Sequence, residues 1–126
     1  MERDKYYGFE LILDLHECNT SKFNRASLRT YFAKLCKGIR MKRAKLCFWD
    51  DLGLLVEKRQ TLPHTKGTSA VQFILTSNIV VHTLDMLGAV YVNVFSCKKF
   101  DRKTAEKITK EWFEAKKVHS HFIKRI

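Results

Sequence analysis

The chain has 126 residues, and its 24 lysines and arginines against 13 aspartates and glutamates give a net charge of +11. A hydrophobic fraction of 45% with only five glycines and one proline excludes a disordered or low-complexity chain and predicts one domain over residues 1–126. No apolar run is long enough for a membrane span and the start MERDKYYGFE is too charged for a secretory signal, so we expect a cytoplasmic protein with no membrane partner.

The first half of the chain combines strand and helix patterns. Apolar side chains recur at every second position in GFELILDLH, which predicts a strand. The following segment has helical spacing, with Ser21 or Asn24 as a cap and Gly38 near the end. The apolar face of this helix consists of Leu28, Tyr31, Phe32, Leu35 and Cys36. AKLCFWDD predicts a second strand, LGLLVEKR a third strand or a turn and strand, and LPHTKGTS a loop.

The second half is richer in β sequence. AVQFIL, NIVVHTL and AVYVNVFSC are three β-branched and aromatic runs, and DMLG is short enough to join the last two as a hairpin. A helix begins after Asp101, its predicted N-cap, and VHSHFIKRI predicts a final strand. The predicted apolar face of this second helix contains Ala105, Ile108, Trp112 and Ala115.

This order of elements predicts an α+β fold. A mostly antiparallel sheet with two helices packed on one face forms a two-layer sandwich. The sheet edges or the uncovered face would then favour association into a homodimer or a higher homo-oligomer.

Four polar residues at strand ends are candidates for chemistry: Ser69, Ser77, His82 and Cys97. If the strands predicted over 71–76, 79–84 and 89–96 lie antiparallel and close together, His82 and Cys97 converge near Ser77, and the group would support acyl chemistry. There is no GxSxG elbow and no carboxylate placed to orient the histidine, as a hydrolase triad requires. The structural alternative is a turn serine, a satisfied histidine and a core thiol.

TSNIVVHT is followed by GAVYVNVFSC, so a Thr-Ser pair precedes an apolar run, His-Thr, and a strand ending in Phe-Ser-Cys. This order resembles the core of the prokaryotic S-adenosylmethionine decarboxylases, in which a Glu-Ser pair precedes an apolar run, His-Thr, and a strand ending in Phe-Thr-Cys. GFELILDLHECN resembles the opening strand of the family and GTSAV its loop serine. The resemblance as a whole spans roughly residues 8 to 117.

This resemblance implies a self-processing enzyme. The hydroxyl of Ser77 would attack the preceding carbonyl, and cleavage between residues 76 and 77 would convert Ser77 into a pyruvoyl cofactor. By the same resemblance Ser69 and His82 assist processing, and Cys97 donates a proton after decarboxylation. The pyruvoyl carbonyl would form a Schiff base with the substrate amine and act as the electron sink. No metal is implied.

The sequence also departs from the family where the nucleoside would bind. Thr76 replaces a glutamate, Leu84 the aromatic residue that helps hold adenine, and Met86 the glutamate that grips the ribose. Thr61 replaces another aromatic residue, and Asp14 stands where the family has glutamate. Asp85 would take up part of the ribose role.

Three hypotheses about function follow. The first is a decarboxylase of S-adenosylmethionine that supplies spermidine synthesis. The second keeps the chemistry but uses a basic amino acid, ornithine or arginine, and predicts an acidic pocket built from Asp14, Glu17 and Asp85. The third is an unprocessed relative with a binding or regulatory role, for which nucleic acid is a partner compatible with the +11 charge but not the favoured one. Four cysteines without a CxxC pair predict thiols instead of a zinc site.

Overall fold

A six-stranded antiparallel sheet organises the computed structural model, which describes residues 5–126. The strands lie in the order β2-β3-β4-β5-β1-β6. The elements are β1 (Gly8–His16), α1 (Arg25–Gly38), β2 (Arg43–Trp49), β3 (Gly67–Ile74), β4 (Ser77–Leu84), β5 (Ala89–Ser96), α2 (Arg102–Phe113) and β6 (Lys117–Arg125). Residues 1–4 of the predicted domain lie outside the described part.

One face of the sheet carries the core. Side chains alternate along each strand, so every second residue of β1, β4 and β5 is buried against the two helices. Helix α1 is capped by Asn24, whose side chain accepts a hydrogen bond from the Ser27 amide, and it buries the five residues of its predicted apolar face. The predicted α+β two-layer sandwich is therefore confirmed.

The opposite face of the sheet, which we call the open face, has no helix on it. It presents the alternate residues of each strand, including Glu10, Ile12, Asp14, Val80, His82, Tyr91, Asn93, His119 and His121. Large apolar side chains are exposed near both edges, with Trp49 56% and Ile123 42% accessible. No helix of residues 5–126 is long and apolar enough to cross a membrane.

Two predicted elements differ in the structure. LGLLVEKR forms no strand; it contains a single 3₁₀ turn, Val56–Lys58, with Leu55 and Val56 exposed. This prediction was wrong because hydrogen bonds within the segment hold it as turns, although the outer edge of β2 pairs with no other strand of residues 5–126. The Leu54 amide donates to the Asp51 carbonyl at 3.0 Å, and Arg59 Nε donates to the Leu54 carbonyl at 3.0 Å. The predicted loop LPHTKGTS is shorter than expected, since Gly67 begins β3.

A buried hydrogen-bond chain joins the two helices. The Tyr31 hydroxyl on α1 lies 2.6 Å from Thr109 Oγ1 on α2, which in turn donates to the Ala105 carbonyl at 2.8 Å. Tyr31 and Thr109 are fully buried, and burial raises the pKa of the Tyr31 phenol. The apolar face of α2 is also rotated from the prediction, because Thr109 and Phe113 are buried more deeply than Ile108 and Trp112.

We expect Tyr31→Phe to lower the free energy of unfolding by about 1 kcal/mol, because the variant loses one buried hydrogen bond and keeps the ring packing. Urea unfolding measures the change. Tyr91→Phe is the control, since the Tyr91 hydroxyl makes no hydrogen bond within residues 5–126 and lies on the open face. Equal effects of the two substitutions would contradict the assigned role of Tyr31.

Candidate functional site

A two-residue turn connects β3 to β4. Ile74 and Ser77 are paired across the hairpin, so Leu75 and Thr76 alone form the turn. Thr76 has a φ of 56°, in the left-handed region. A β-branched residue is rarely found there, and such a conformation costs on the order of 1–3 kcal/mol. The peptide bond between residues 76 and 77 therefore follows a strained residue.

Ser77 and Cys97 meet at this end of the sheet. Ser77 is 7% exposed, and its Oγ accepts a hydrogen bond from the Cys97 amide at 3.3 Å. The Ser77 hydroxyl lies 4.0 Å from Cys97 Sγ, and Thr76 Oγ1 lies 3.0 Å from the same sulfur. The structure thus brings Cys97 to Ser77, as the sequence predicts.

The position of Cys97 depends on two residues that sequence reasoning missed. Ser96 is fully buried, and its hydroxyl donates to the Lys98 carbonyl and accepts from the Lys98 amide, which closes a tight turn around Cys97. Gly8 lies against this turn, where an added Cβ would stand 2.2 Å from the Ser96 carbonyl oxygen. In the sequence, only the Phe-Ser-Cys ending of β5 points to the role of Ser96.

Ser69 and His82 form a second pair. They are register partners on β3 and β4, and Ser69 Oγ lies 2.8 Å from His82 Nδ1. His82 is exposed on the open face. Its Nδ1 faces Ser69, so Nε2 is the nitrogen left for a group above the sheet.

The predicted convergence of His82 on Ser77 is not found within one copy of the chain. The two residues are five positions apart on β4, a separation of about 17 Å along a strand. Because five is an odd number, their side chains also point to opposite faces: Ser77 shares the core side with Ile79 and Val81, and His82 the open face. The expectation was wrong since β4 is a continuous strand from Ser77 to Leu84.

Asp14 lies in the same row of the open face as His82. Tyr91 stands between them, as register partner of His82 on one side and of Asp14 on the other. A shallow cavity of about 480 Å³ covers this part of the sheet, lined by Asp14, His82 and Tyr91 among others. At its far side Glu10 accepts hydrogen bonds from Asn93 and Arg125, so this carboxylate is already occupied.

The predicted acidic pocket is not assembled. Asp85 lies in the turn after β4, beside a separate cavity of about 510 Å³ that includes Asp51 and Lys66. Burial and the neighbouring Asp51 raise the pKa of the Asp85 carboxyl, and Lys66 opposes this shift. Glu17 is exposed and forms an ion pair with Lys117 at 3.4 Å. Of the three acids only Asp14 is near His82.

The residues at the nucleoside positions do not build a pocket. Thr61 is exposed in the loop before β3, and Met86 is 59% accessible in the turn after β4. Leu84 is half-buried at the end of β4, on the side of the sheet away from Ser77.

Two other cysteines are poor candidates for nucleophiles. Burial raises the pKa of the thiols of Cys18 and Cys36 to about 11, so both are protonated at neutral pH. Within residues 5–126 no three histidine, cysteine, aspartate or glutamate side chains form a group that would hold a metal ion.

The structure combines an antiparallel α+β sandwich with a serine and a cysteine at a strained strand connection. Comparisons with known proteins identify the family to which this fold belongs. The family model described as S-adenosylmethionine decarboxylase matches residues 9–126. The chain therefore belongs to the S-adenosylmethionine decarboxylase family. The pyruvoyl group is the general cofactor of that family.

A solved structure shares the fold. The adenosylmethionine decarboxylase of Aquifex aeolicus VF5 superposes with a TM-score of 0.71 at 16% sequence identity, over 95% of this chain and 91% of that one. No curated protein sequence matches the chain.

Proposed function

We propose that the protein is a self-processing decarboxylase that cleaves its own chain between Thr76 and Ser77 and acts on S-adenosylmethionine, in support of polyamine synthesis. The observation that carries the proposal is the contact between the buried Ser77 hydroxyl and Cys97 at the strained turn. Family membership supplies the reaction class.

The residues around Ser77 fit a pyruvoyl group derived from it. The Cys97 amide already donates to Ser77 Oγ, and the Cys97 thiol lies beside the same oxygen. The site is small and largely shielded, because Ser77 is 7% exposed. When present, a pyruvoyl group supplies a carbonyl that withdraws electrons from the bond to the leaving carboxylate.

The chain itself provides the processing steps. Attack of Ser77 Oγ on the Thr76 carbonyl forms an ester as the peptide C–N bond breaks. Loss of the Ser77 α-proton then breaks the Cβ–O bond and releases Thr76 as a new C-terminal carboxylate, after which water replaces the nitrogen of residue 77 as ammonia. Cleavage relieves the left-handed conformation of Thr76, which favours the forward direction.

Cys97 is suited to hold a proton near residue 77. Its sulfur lies 4.0 Å from the Ser77 hydroxyl, and the turn closed by Ser96 fixes its direction. We assign to this thiol the delivery of a proton to the carbon that loses the carboxylate.

A second copy of the chain would complete the site. Ser69 and His82 lie on the open face, and His82 is about 17 Å from Ser77 along β4. Within one copy this pair therefore cannot assist cleavage of the peptide bond between Thr76 and Ser77. Thr76 is exposed at the end of the sheet, although the Ser77 side chain points to the core. A copy that packs its open face against this one, offset along the strands, would therefore bring its own Ser69–His82 pair to the peptide bond between Thr76 and Ser77. The exposed Trp49 and Ile123 near the sheet edges favour such a contact.

The size of the open face supports a dimer. Six strands about 4.8 Å apart, with eight residues of about 3.4 Å each in a strand such as β4, cover on the order of 700 Å². A specific, stable interface buries roughly 800 Å² on each partner. The open face is therefore close to the required size.

The placement of Asp14 supports a second candidate substrate. Asp14 shares the open-face row with His82, so its carboxylate would pair with the side-chain ammonium of ornithine or the guanidinium of arginine. Thr61 and Met86 do not form a nucleoside pocket within one copy. A basic amino acid is thus the alternative substrate for the same chemistry.

We predict that the purified protein consists of two pieces, residues 1–76 and 77–126, and that Ser77→Ala is a single chain. Intact-mass spectrometry measures both. Ser120→Ala is the matched control, because Ser120 is an exposed serine of β6 and should leave cleavage unchanged. A wild-type protein that stays whole under all conditions would refute the proposal and favour a binding or regulatory role.

We further predict that Cys97→Ala is cut normally but releases labelled CO2 at least about tenfold more slowly, since a general acid contributes about 10²–10⁴ in rate. The assay compares S-adenosylmethionine, ornithine and arginine as substrates. Cys47→Ala is the control, because Cys47 lies on β2, away from the turn. Wild-type turnover by Cys97→Ala would overturn the role of the thiol, and release only from ornithine or arginine would select the alternative substrate.

A further inference from the structure

Most of the excess positive charge lies at one end of the molecule. Segments 37–45 and 98–103 contain nine lysines and arginines and one acidic residue, a net charge of +8 in a chain of +11. We call these two segments the basic end. Its cations are Lys37, Arg40, Lys42, Arg43, Lys45, Lys98, Lys99, Arg102 and Lys103.

The fold brings the two segments together. The first segment runs from the end of α1 into β2, and the second joins β5 to the start of α2. Lys98 Nζ donates to the Arg40 carbonyl at 3.3 Å, which links them directly. Between them lies a cavity of about 400 Å³ lined by Arg40, Lys98 and Lys99.

The charges of the basic end are not neutralised within the described part of the chain. All nine cationic side chains are exposed, and none forms an ion pair with a carboxylate of residues 5–126. The one acid, Asp101, accepts hydrogen bonds from the amides of Lys103 and Thr104, and these bonds lower the pKa of its carboxyl. The Asp101 carboxylate therefore caps the N-terminus of α2.

The side chains of the basic end indicate which kind of polyanion this surface would bind. No large apolar side chain is exposed in either segment, since Ile39 and Phe100 are buried and Met41 is partly buried. Insertion into a lipid surface and stacking on unpaired bases both need exposed apolar or aromatic groups. Binding to a rigid array of phosphates needs only positive charge on the protein, and a nucleic-acid duplex presents one negative charge per about 1.7 Å of its axis.

We propose that the basic end binds the phosphate backbone of double-stranded nucleic acid without sequence preference. This function is independent of cleavage at Ser77, because no residue of the proposed processing chemistry belongs to the basic end. Binding weakens steeply with salt, as counterions compete for the phosphates.

The test is fluorescence anisotropy with a labelled DNA duplex between 50 and 200 mM salt, on wild type and on a quadruple variant, Lys42→Gln, Lys45→Gln, Lys99→Gln and Lys103→Gln. These four side chains make no hydrogen bond within residues 5–126, so folding should be retained, which thermal unfolding checks. We expect the slope of log K against log salt to become shallower by about three to four.

A matched control carries the same change in charge elsewhere: Lys58→Gln, Lys107→Gln, Lys110→Gln and Lys116→Gln, all exposed lysines outside the basic end. This control should keep the wild-type slope to within about one. Ser77→Ala should bind like wild type even though it remains uncut.

Three results would overturn the proposal. The first is no duplex binding at 50 mM salt, and the second is equal loss of binding in the two quadruple variants, which would indicate a general effect of net charge. The third is tighter binding to phosphatidylserine vesicles or to polyglutamate than to the duplex, which would assign the surface to a membrane or to an acidic protein.

Discussion

The alternation of side chains along β4 is the constraint on which the site depends. An extended strand sends successive residues to opposite faces, and β4 pairs without interruption with β3 from Ser77 to Leu84 and with β5 from Asn78 to Leu84. Ser77 therefore begins the strand on the core side, where Cys97 reaches it, and His82 ends up on the open face with Ser69. The same alternation that buries Ile79 and Val81 divides the candidate chemistry into two pairs.

This division connects fold, assembly and function. The helices shield one face and leave the other uncovered, so the face that carries Ser69, His82 and Asp14 is also the face available to a second copy. At the end of the sheet the turn around Cys97 leads directly into Lys98 and Lys99, so the candidate site borders the basic end. The uncovered face proposed for assembly and the basic end therefore lie on separate parts of one framework.

Much of the fold could be predicted from the sequence, because the strands and α1 have strong periodic patterns and clear caps. The apolar segment around Val56 has the composition of a strand, but hydrogen bonds within the segment hold it as turns. The contact between Ser77 and Cys97 was also predictable. The separation of the Ser77 and His82 side chains onto opposite faces of the sheet also follows from the sequence, because the two positions are an odd number of residues, five, apart along one strand. The roles of Gly8 and Ser96 depend on tertiary contacts that no sequence pattern indicates. At Gly8 there is no room for a Cβ beside the Ser96 carbonyl, and the Ser96 hydroxyl makes two hydrogen bonds to the backbone of Lys98.

We propose that two copies of the chain together form the processing site. The most direct test is co-expression of Ser77→Ala, which keeps Ser69 and His82, with His82→Ala, which keeps Ser77, each chain carrying a tag of different mass. Each variant alone should remain whole. In the mixture we expect mass spectrometry to show the His82→Ala chain cut between residues 76 and 77, since its partner supplies the missing imidazole. A His82→Ala chain that stays whole in mixed dimers, or is cut when expressed alone, would contradict the account.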